Sequence, residues 1–306
     1  MNHLQVYITT EKVFKTPNEY WFNDILFLDK YNEFTKHCYL LGKNKSVLGY
    51  IAVTIIENEC FSPAIGTFAG FDCVSQLTLE EKDFFVKGIL AYFNTQNFTL
   101  RMPPYFLLDN GDDWNTILKA NGFEEQYSEL NYHFDLSENI QFHLSSRRRL
   151  NKCLAAGFKF EQWSNPNPEF CHQFISEARR RKGYPMSMSL QKFAEMLVSF
   201  SDRYFVFRVL SSEKETIALS VVVKINDKIL YNFYPADDVN YLNFSPSVML
   251  HHGIIEYAKV NHFKYFDLGI ATDKGVRNEG LITFKKHLGA IEDFKKEYFY
   301  NLSKID

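Results

Sequence analysis

Two neighbouring stretches decide the reading: Tyr265-Phe266-Asp267-Leu268-Gly269, and Asn278-Glu279-Gly280-Leu281-Ile282-Thr283-Phe284-Lys285-Lys286-His287-Leu288-Gly289-Ala290. The first is a short buried strand ended by a glycine, the residue that most readily turns a chain out of extended geometry. In the second, residues 279–288 read as a short helix closed by Gly289. Residues 294–302 then read as a long aromatic strand. Strand, loop, helix and strand in this order predict the end of a mixed sheet with helices packed on it.

Upstream, residues 158–163 alternate apolar and polar side chains, as a half-buried strand does. Asn167 followed by Pro168 is a helix start, because the Asn side chain caps free N–H groups and proline fits the first turn. Phe170, Phe174 and Ala178 recur at i+4 and give that helix one apolar stripe, and Gly183 ends it. Ser189 caps a second helix with Phe193, Met196, Leu197 and Phe200 on one face. Three strands follow at 203–210, 216–224 and 228–234, the last two joined by the hairpin turn Ile225-Asn226-Asp227. Ser245-Pro246 opens another helix before the strand at 265–268. The order is β-α-α-β-β-β-α-β-α-β.

The first half repeats the scheme. Strands are expected at 4–9, 39–41, 47–56, 67–71, 98–102 and 126–136. Helices are expected at 18–28, at 84–93 behind the capping box Thr78-Leu79-Glu80-Glu81, and at 114–120. Residues 117–136 and 283–302 match in form, each a helix, a glycine and a long aromatic strand. The chain is therefore read as a duplicated α/β domain with a mixed sheet, the copies at residues 1–139 and 157–306, joined by a linking helix at 140–156.

With 306 residues the chain has room for about two domains. Its 46% hydrophobic and 23% charged residues are those of a protein with real cores rather than a disordered one. A net charge of −3 argues against a protein whose main task is gripping a long polyanion, and no DNA partner is expected. Five cysteines without CxxC spacing fit free thiols of a reducing compartment better than a disulfide framework or a zinc site. His251-His252 lack a third ligand at useful spacing, so no metal is expected. No apolar run reaches the ~20 residues of a membrane span, and Met1-Asn2-His3-Leu4-Gln5-Val6-Tyr7 does not resemble a signal peptide. The expected location is the cytoplasm.

The segment from Asp267-Leu268-Gly269 to Gly280-Leu281, Phe284-Lys285 and Leu288-Gly289 resembles the FemABX-like branch of the GNAT acyltransferase superfamily, whose members carry two GNAT-like (acyl-CoA N-acyltransferase) domains in one chain. The arginine-rich stretch from Leu144 to Lys152 is similar to that family's linking helix, and Gly183–Ser189 is similar to its bacterial members of Bacteroidetes type. The resemblance implies transfer of an acyl group from acyl-CoA, or of an aminoacyl group from aminoacyl-tRNA, to an amine on a small or cell-envelope-precursor acceptor. It places Phe284 and Lys285 against the donor. One stretch departs from the ordinary GNAT pattern. Residues 237–247, Asp-Asp-Val-Asn-Tyr-Leu-Asn-Phe-Ser-Pro-Ser, hold no glycine where ordinary members cradle pyrophosphate on bare N–H groups. Ser245 and Ser247 remain there as candidate anion donors.

Acyl transfer to an amine requires a proton acceptor, donors for the tetrahedral oxyanion, and a proton for the leaving group. The oxyanion donors fall on the backbone of 230–234. Asp267 is the candidate base, against the reading of an Asx turn serving Gly269. Tyr231 and Tyr234 are candidate proton donors, against simple packing. Lys285 is a candidate partner of phosphate or carboxylate, against a solvated lysine. Arg179, Arg181 and Asn278 are candidate substrate contacts, although cations near a helix C-terminus also favour its dipole without any ligand. No Cys or Ser stands beside an obvious base, so a ternary complex without a covalent intermediate is expected. The rival expectation is a GNAT-like fold that has lost catalysis and binds a ligand or partner.

Overall fold

The computed structural model describes residues 3–31, 34–94 and 96–304. In chain order the elements are β1 (Gln5–Thr9), α1 (Ile25–Tyr31), β2 (Thr35–Leu41), β3 (Val47–Ile56), β4 (Glu59–Ser62), β5 (Asp72–Cys73), α2 (Leu79–Tyr92), β6 (Phe98–Arg101), α3 (Gly111–Ala120) and β7 (Phe123–Asp135). They continue with α4 (Leu144–Ala155), β8 (Lys159–Gln162), α5 (Pro168–Arg181), α6 (Leu190–Ser199), β9 (Tyr204–Leu210), β10 (Thr216–Asn226), β11 (Ile229–Asp237) and α7 (Pro246–Val260). The last are β12 (Tyr265–Ile270), β13 (Thr272–Asp273), β14 (Val276–Arg277), α8 (Glu279–His287) and β15 (Ile291–Tyr300). The expected mixed α/β layout is present, and the order of the second half is as read from the sequence except that the two-residue strands β13 and β14 were not expected.

Two compact units result, and they are not one cut of the chain. The first comprises residues 1–131, 272–277 and 293–306, the second 132–271 and 278–292. The closing strand β15, read from the sequence as part of 157–306, lies beside β6 of the first unit, with Glu297 opposite Arg101 and Tyr300 opposite Phe98. The Arg101 Nε–Glu297 Oε2 contact of 2.8 Å reinforces that register.

In the first unit β1, β2, β3 and β4 form an antiparallel run, and β4 pairs in parallel with β6. Residues 67–71, expected as a strand, are not one, and β4 takes the place in the meander. Gly66 and Gly70 turn this backbone through positive φ (125° and 56°), yet Phe68 and Phe71 stay buried, Phe71 stacked on Trp114. Apolar content there came from packing, not from strand pitch. The expected helix at 18–28 divides into a 3-10 turn (Trp21–Asn23) and α1. Thr78 and Glu81 form the expected capping box of α2.

In the second unit β8, β9, β10 and β11 are antiparallel neighbours, β11 pairs in parallel with β12, and the end of β7 lies next to β12. Residues 217–223 of β10 are all buried, as expected of a strand covered on both faces. Asn167 caps α5 through Phe170 N, and Gly183 closes it with φ 82°, Tyr184 N reaching back to Arg179 O. Ser189 caps α6. Helix α4, the expected linking helix, packs on α7 within this unit.

Candidate active site at the parting of two strands

The parallel ladder of β11 and β12 runs only from Ile229↔Tyr265 to Tyr231↔Asp267. On its other edge β11 stays paired with β10 as far as Asp237↔Ala218. Among the described residues, the β11 edge that faced β12 therefore has no ladder partner from Asn232 onward. The parting thus falls after Tyr231, within the 230–234 stretch expected to carry the oxyanion donors. A bulge marks it: Asn232 opposes Val222 and Tyr234 opposes Val221, which leaves Phe233 as the extra residue. Bulges end pairing and re-aim backbone groups, so the 232–234 backbone is where oxyanion donors can lie.

The β12 lip is shaped by two of the predicted residues. Asp267, 1% exposed, accepts the Gly269 N–H at 2.8 Å through Oδ1. That is the turn reading of this side chain. Lys285 is 4% exposed, and its Nζ donates to three successive carbonyls, of Leu268 (2.9 Å), Gly269 (2.7 Å) and Ile270 (2.8 Å). An ammonium has three protons, and these three acceptors match them, so Lys285 faces the strand end rather than bulk water or an open groove. Gly269 makes the curl possible: its φ is 70°, and a Cβ there would stand 3.2 Å from the Tyr231 hydroxyl oxygen.

The β11 lip is held by residues that the sequence reading did not assign to the site. Ser220 Oγ donates to Asn232 Oδ1 (2.6 Å), Asn232 Nδ2 lies 3.1 Å from His251 Nε2, and His251 Nδ1 lies 2.7 Å from the Ser247 carbonyl. All three side chains are buried. Burial, with the Lys285 charge as a smaller contribution, holds the imidazole down to about 4, so it is neutral at ordinary pH. Ser247 Oγ in turn donates to Asp237 Oδ2 (3.2 Å), and Asp237 Oδ1 takes Arg181 Nη2 at 2.6 Å. Phe284 lies edge-on to His251, ring centroids 5.4 Å apart. A signal existed: Ser220 and Asn232 each stand within an apolar run of their strand, Ala218 to Val223 and Ile229 to Tyr234, and a buried polar group requires a partner.

The other predicted contacts divide. Tyr234 is buried, its hydroxyl hydrogen-bonded to Ser187 Oγ and its ring 5.7 Å from the Arg179 guanidinium. Burial raises its phenol, with Ser187 and Arg179 pulling the other way. Arg179 Nε donates to Pro185 O (3.0 Å), which fixes the guanidinium plane and points the Nη edge away from that bond. Arg181, expected to meet substrate, is engaged with Asp237 through both Nη atoms. Asn278 caps α8 by accepting Leu281 N. Ser245, expected to offer its hydroxyl to an anion, instead directs it to Leu242 O (3.3 Å), and Ser247 directs its own to Asp237. Pro246 brings no N–H to the first turn of α7, and that of Val248 goes to the Ser245 carbonyl. The first turn of α7, expected to meet an anion, thus lies beside the Asp237 carboxylate, which is bonded to Ser247 and Arg181 and ion-paired with Lys182.

Residues 143–286 match the model of the acetyltransferase (GNAT) domain. The chain superposes on a crystal structure of FemX with a TM-score of 0.72, over 94% of each chain at 14% identity. This is a FemABX-like double-GNAT fold. The double GNAT also superposes on a conserved protein of unknown function from Bacteroides thetaiotaomicron (TM-score 0.62, 11% identity, 94% of this chain and 92% of that one). L-PGS from Bacillus licheniformis is a third likeness (TM-score 0.56, 11% identity, 86% and 84%). No curated protein matches the sequence. Among the described residues of this double GNAT, no helix is long and apolar enough to cross a membrane, and no three His, Cys, Asp or Glu residues cluster as metal ligands.

Proposed function

We propose that the protein is an aminoacyltransferase, moving an aminoacyl group from the ester of aminoacyl-tRNA to an amine of a cell-envelope precursor or a similar small acceptor. The observation that carries the choice of donor is Asp237. Its carboxylate stands at the first turn of α7, bonded to Ser247 and Arg181. Arg181 and Lys182 are drawn to that carboxylate and the Ser247 hydroxyl is engaged by it, so the groups a pyrophosphate would recruit there already serve Asp237. The likeness to FemX supports the same donor.

In this reading the neutral amine attacks the ester carbonyl in the gap beside Asn232–Tyr234. Backbone N–H groups of the bulge stabilise the oxyanion, as preorganised donors do best. The C–N bond forms, the C–O bond to ribose breaks, and the leaving oxygen takes a proton from Tyr234, which burial keeps protonated. The amine's released proton restores the phenol through Ser187. Arg179 anchors an anionic group of the substrate by its Nη edge, a charge-assisted contact. Asp267 and Lys285 act on the shape of the gap.

One observation favours the rival, a protein that binds without catalysis: Asp267, Lys285 and Arg181 are all committed to internal partners. Calorimetric titration separates the readings. The proposal expects saturable binding of aminoacyl-tRNA and none of acetyl-CoA at the same concentration. Binding of acetyl-CoA alone sinks the choice of donor, and binding of neither removes the enzymatic reading.

A further inference from the structure

Two consecutive residues of α8 reach the two lips of the gap. Lys285 gathers the carbonyls of 268–270 on the β12 side, while Phe284 braces His251, which holds Asn232 on the β11 side. We propose that Phe284, Lys285, His251 and Asn232 are positioning residues that set the width and orientation of the gap without touching substrate. This rests on the reading of the gap as the place of transfer.

The case is one of donor and acceptor matching. Asn232 Oδ1 takes the Ser220 proton, so Nδ2 faces His251 Nε2, which must be the bare nitrogen. Nδ1 then carries the proton toward the Ser247 carbonyl, the only arrangement in which that contact is attractive. Flipping the amide brings an acceptor to Nε2 and forces the other tautomer, whose bare Nδ1 faces a carbonyl. Every group in the chain thus specifies its neighbour, and the end of the chain is the side chain one residue before the bulged Phe233. A core of apolar residues can bury as much area, but it does not fix a backbone bulge in one orientation.

On the opposite lip the same logic applies to charge. A buried ammonium requires full hydrogen bonding, and three successive carbonyls can converge on one point only if the backbone curls. Gly269 at positive φ supplies the curl. Tyr231, the last β11 residue paired to β12, rests on that glycine. The strand end therefore cannot drift back toward β11 without releasing Lys285.

The test uses the full chain. Asn232→Leu preserves volume and removes the link to His251, and Lys285→Met preserves the stem and removes the ammonium. Amide hydrogen exchange is expected to speed by about tenfold, the equivalent of one net hydrogen bond, at Phe233 and Tyr234 in the first variant, and by more than that at 268–270 in the second, where three bonds are lost. Amides of β3 in the first unit are expected not to change. Unchanged exchange at both lips overturns the proposal. If either variant fails to fold, nitrogen NMR of the wild-type imidazoles decides. His251, faced by the charges of Lys285 and Asp237, is expected to keep a protonated Nδ1 and a bare Nε2 from pH 5 to 8. Titration in that range, or the other tautomer, overturns it. With a transfer assay in hand, Asn232→Leu is expected to lower kcat about tenfold with KM within about twofold, as loss of alignment alone does. A rise in KM at constant kcat contradicts a positioning role. The exchange and NMR results judge the lips even if no substrate is turned over, so failure here is distinct from failure of the transferase reading.

Discussion

The two units solve the same geometric problem differently. In the first, β4 and β6 pair from Cys60↔Phe98 to Ser62↔Leu100, and the chain then leaves the ladder. In the second, β11 and β12 part after Tyr231↔Asp267. Beyond the first parting the chain is packed with rings. Phe71 stacks on Trp114 at 4.7 Å, and the buried Lys82 ammonium lies over the same indole, paired with Asp113 at 3.0 Å. Helix α2 opens on its own capping box with Glu80 and Glu81 in the first turn, an unfavourable place for a further anion. Beyond the second parting the lips are braced by hydrogen bonds instead, and among the described residues one edge of β11 has no strand partner. Shared layout does not make a site. What distinguishes the units is what surrounds the parting, stacked rings and an ion pair in the first and a chain of buried hydrogen bonds in the second.

The largest expected effect on this contrast comes from Lys285→Met. Removing a buried cation from three carbonyls is predicted to lower unfolding free energy by about 4 kcal/mol, read by urea denaturation. A loss near zero makes Lys285 a bystander, and the second unit no more braced than the first. Next is Asp72 in the first unit. It is fully buried and accepts both amide groups of Asn18, and burial outweighs these bonds to push its carboxyl up to about 6. A carboxyl raised in the folded state binds more protons there than when unfolded, so stability falls as pH rises from about 4 through 6. Asp72→Asn keeps an acceptor for Asn18 and removes the buried charge. It is predicted to raise stability at pH 7.5 by about 3 kcal/mol, from a shift of about two units, with little gain at pH 4. A Tm difference independent of pH contradicts this.

A smaller effect is predicted for Arg179→Ala in the second unit. Loss of one charge-assisted contact of about 1.5 kcal/mol raises KM for an anionic substrate about tenfold, whereas Arg181→Ala acts through Asp237 and loosens the α7 start. Equal effects of the two on KM would remove the distinction drawn between them. The smallest is Thr78→Ala, which deletes the side-chain bond to Glu81 N and is expected to cost about 1 kcal/mol without altering any transfer step.

Much of the fold was legible because caps and periodicity act locally. Asn167, Ser189 and the Thr78 box each specify a helix start from a few neighbouring atoms, and the structure places a helix at each. The 67–71 stretch was misread because burial in that segment comes from rings packing on Trp114 and neighbouring aromatics, a tertiary fact with no local period. The placement of β15 against β6 is likewise set by long-range partners such as Arg101 and Glu297. At the candidate site, residue type did not give the direction of each side chain. Asp267 and Lys285 lie at the parting, yet both point at backbone. Asn232 and His251 were passed over because nothing in one strand or one helix announces that they meet.

The central claim is that acyl transfer takes place beside the bulge of β11 from a donor without pyrophosphate. Its most direct measurement is single-turnover transfer of radiolabel from aminoacyl-tRNA, and separately from acetyl-CoA, to amine-bearing envelope precursors. Label is predicted to pass from the tRNA ester to an acceptor amide, and Asn232→Leu is predicted to slow it. Label arriving only from acetyl-CoA, or from neither donor, contradicts the account.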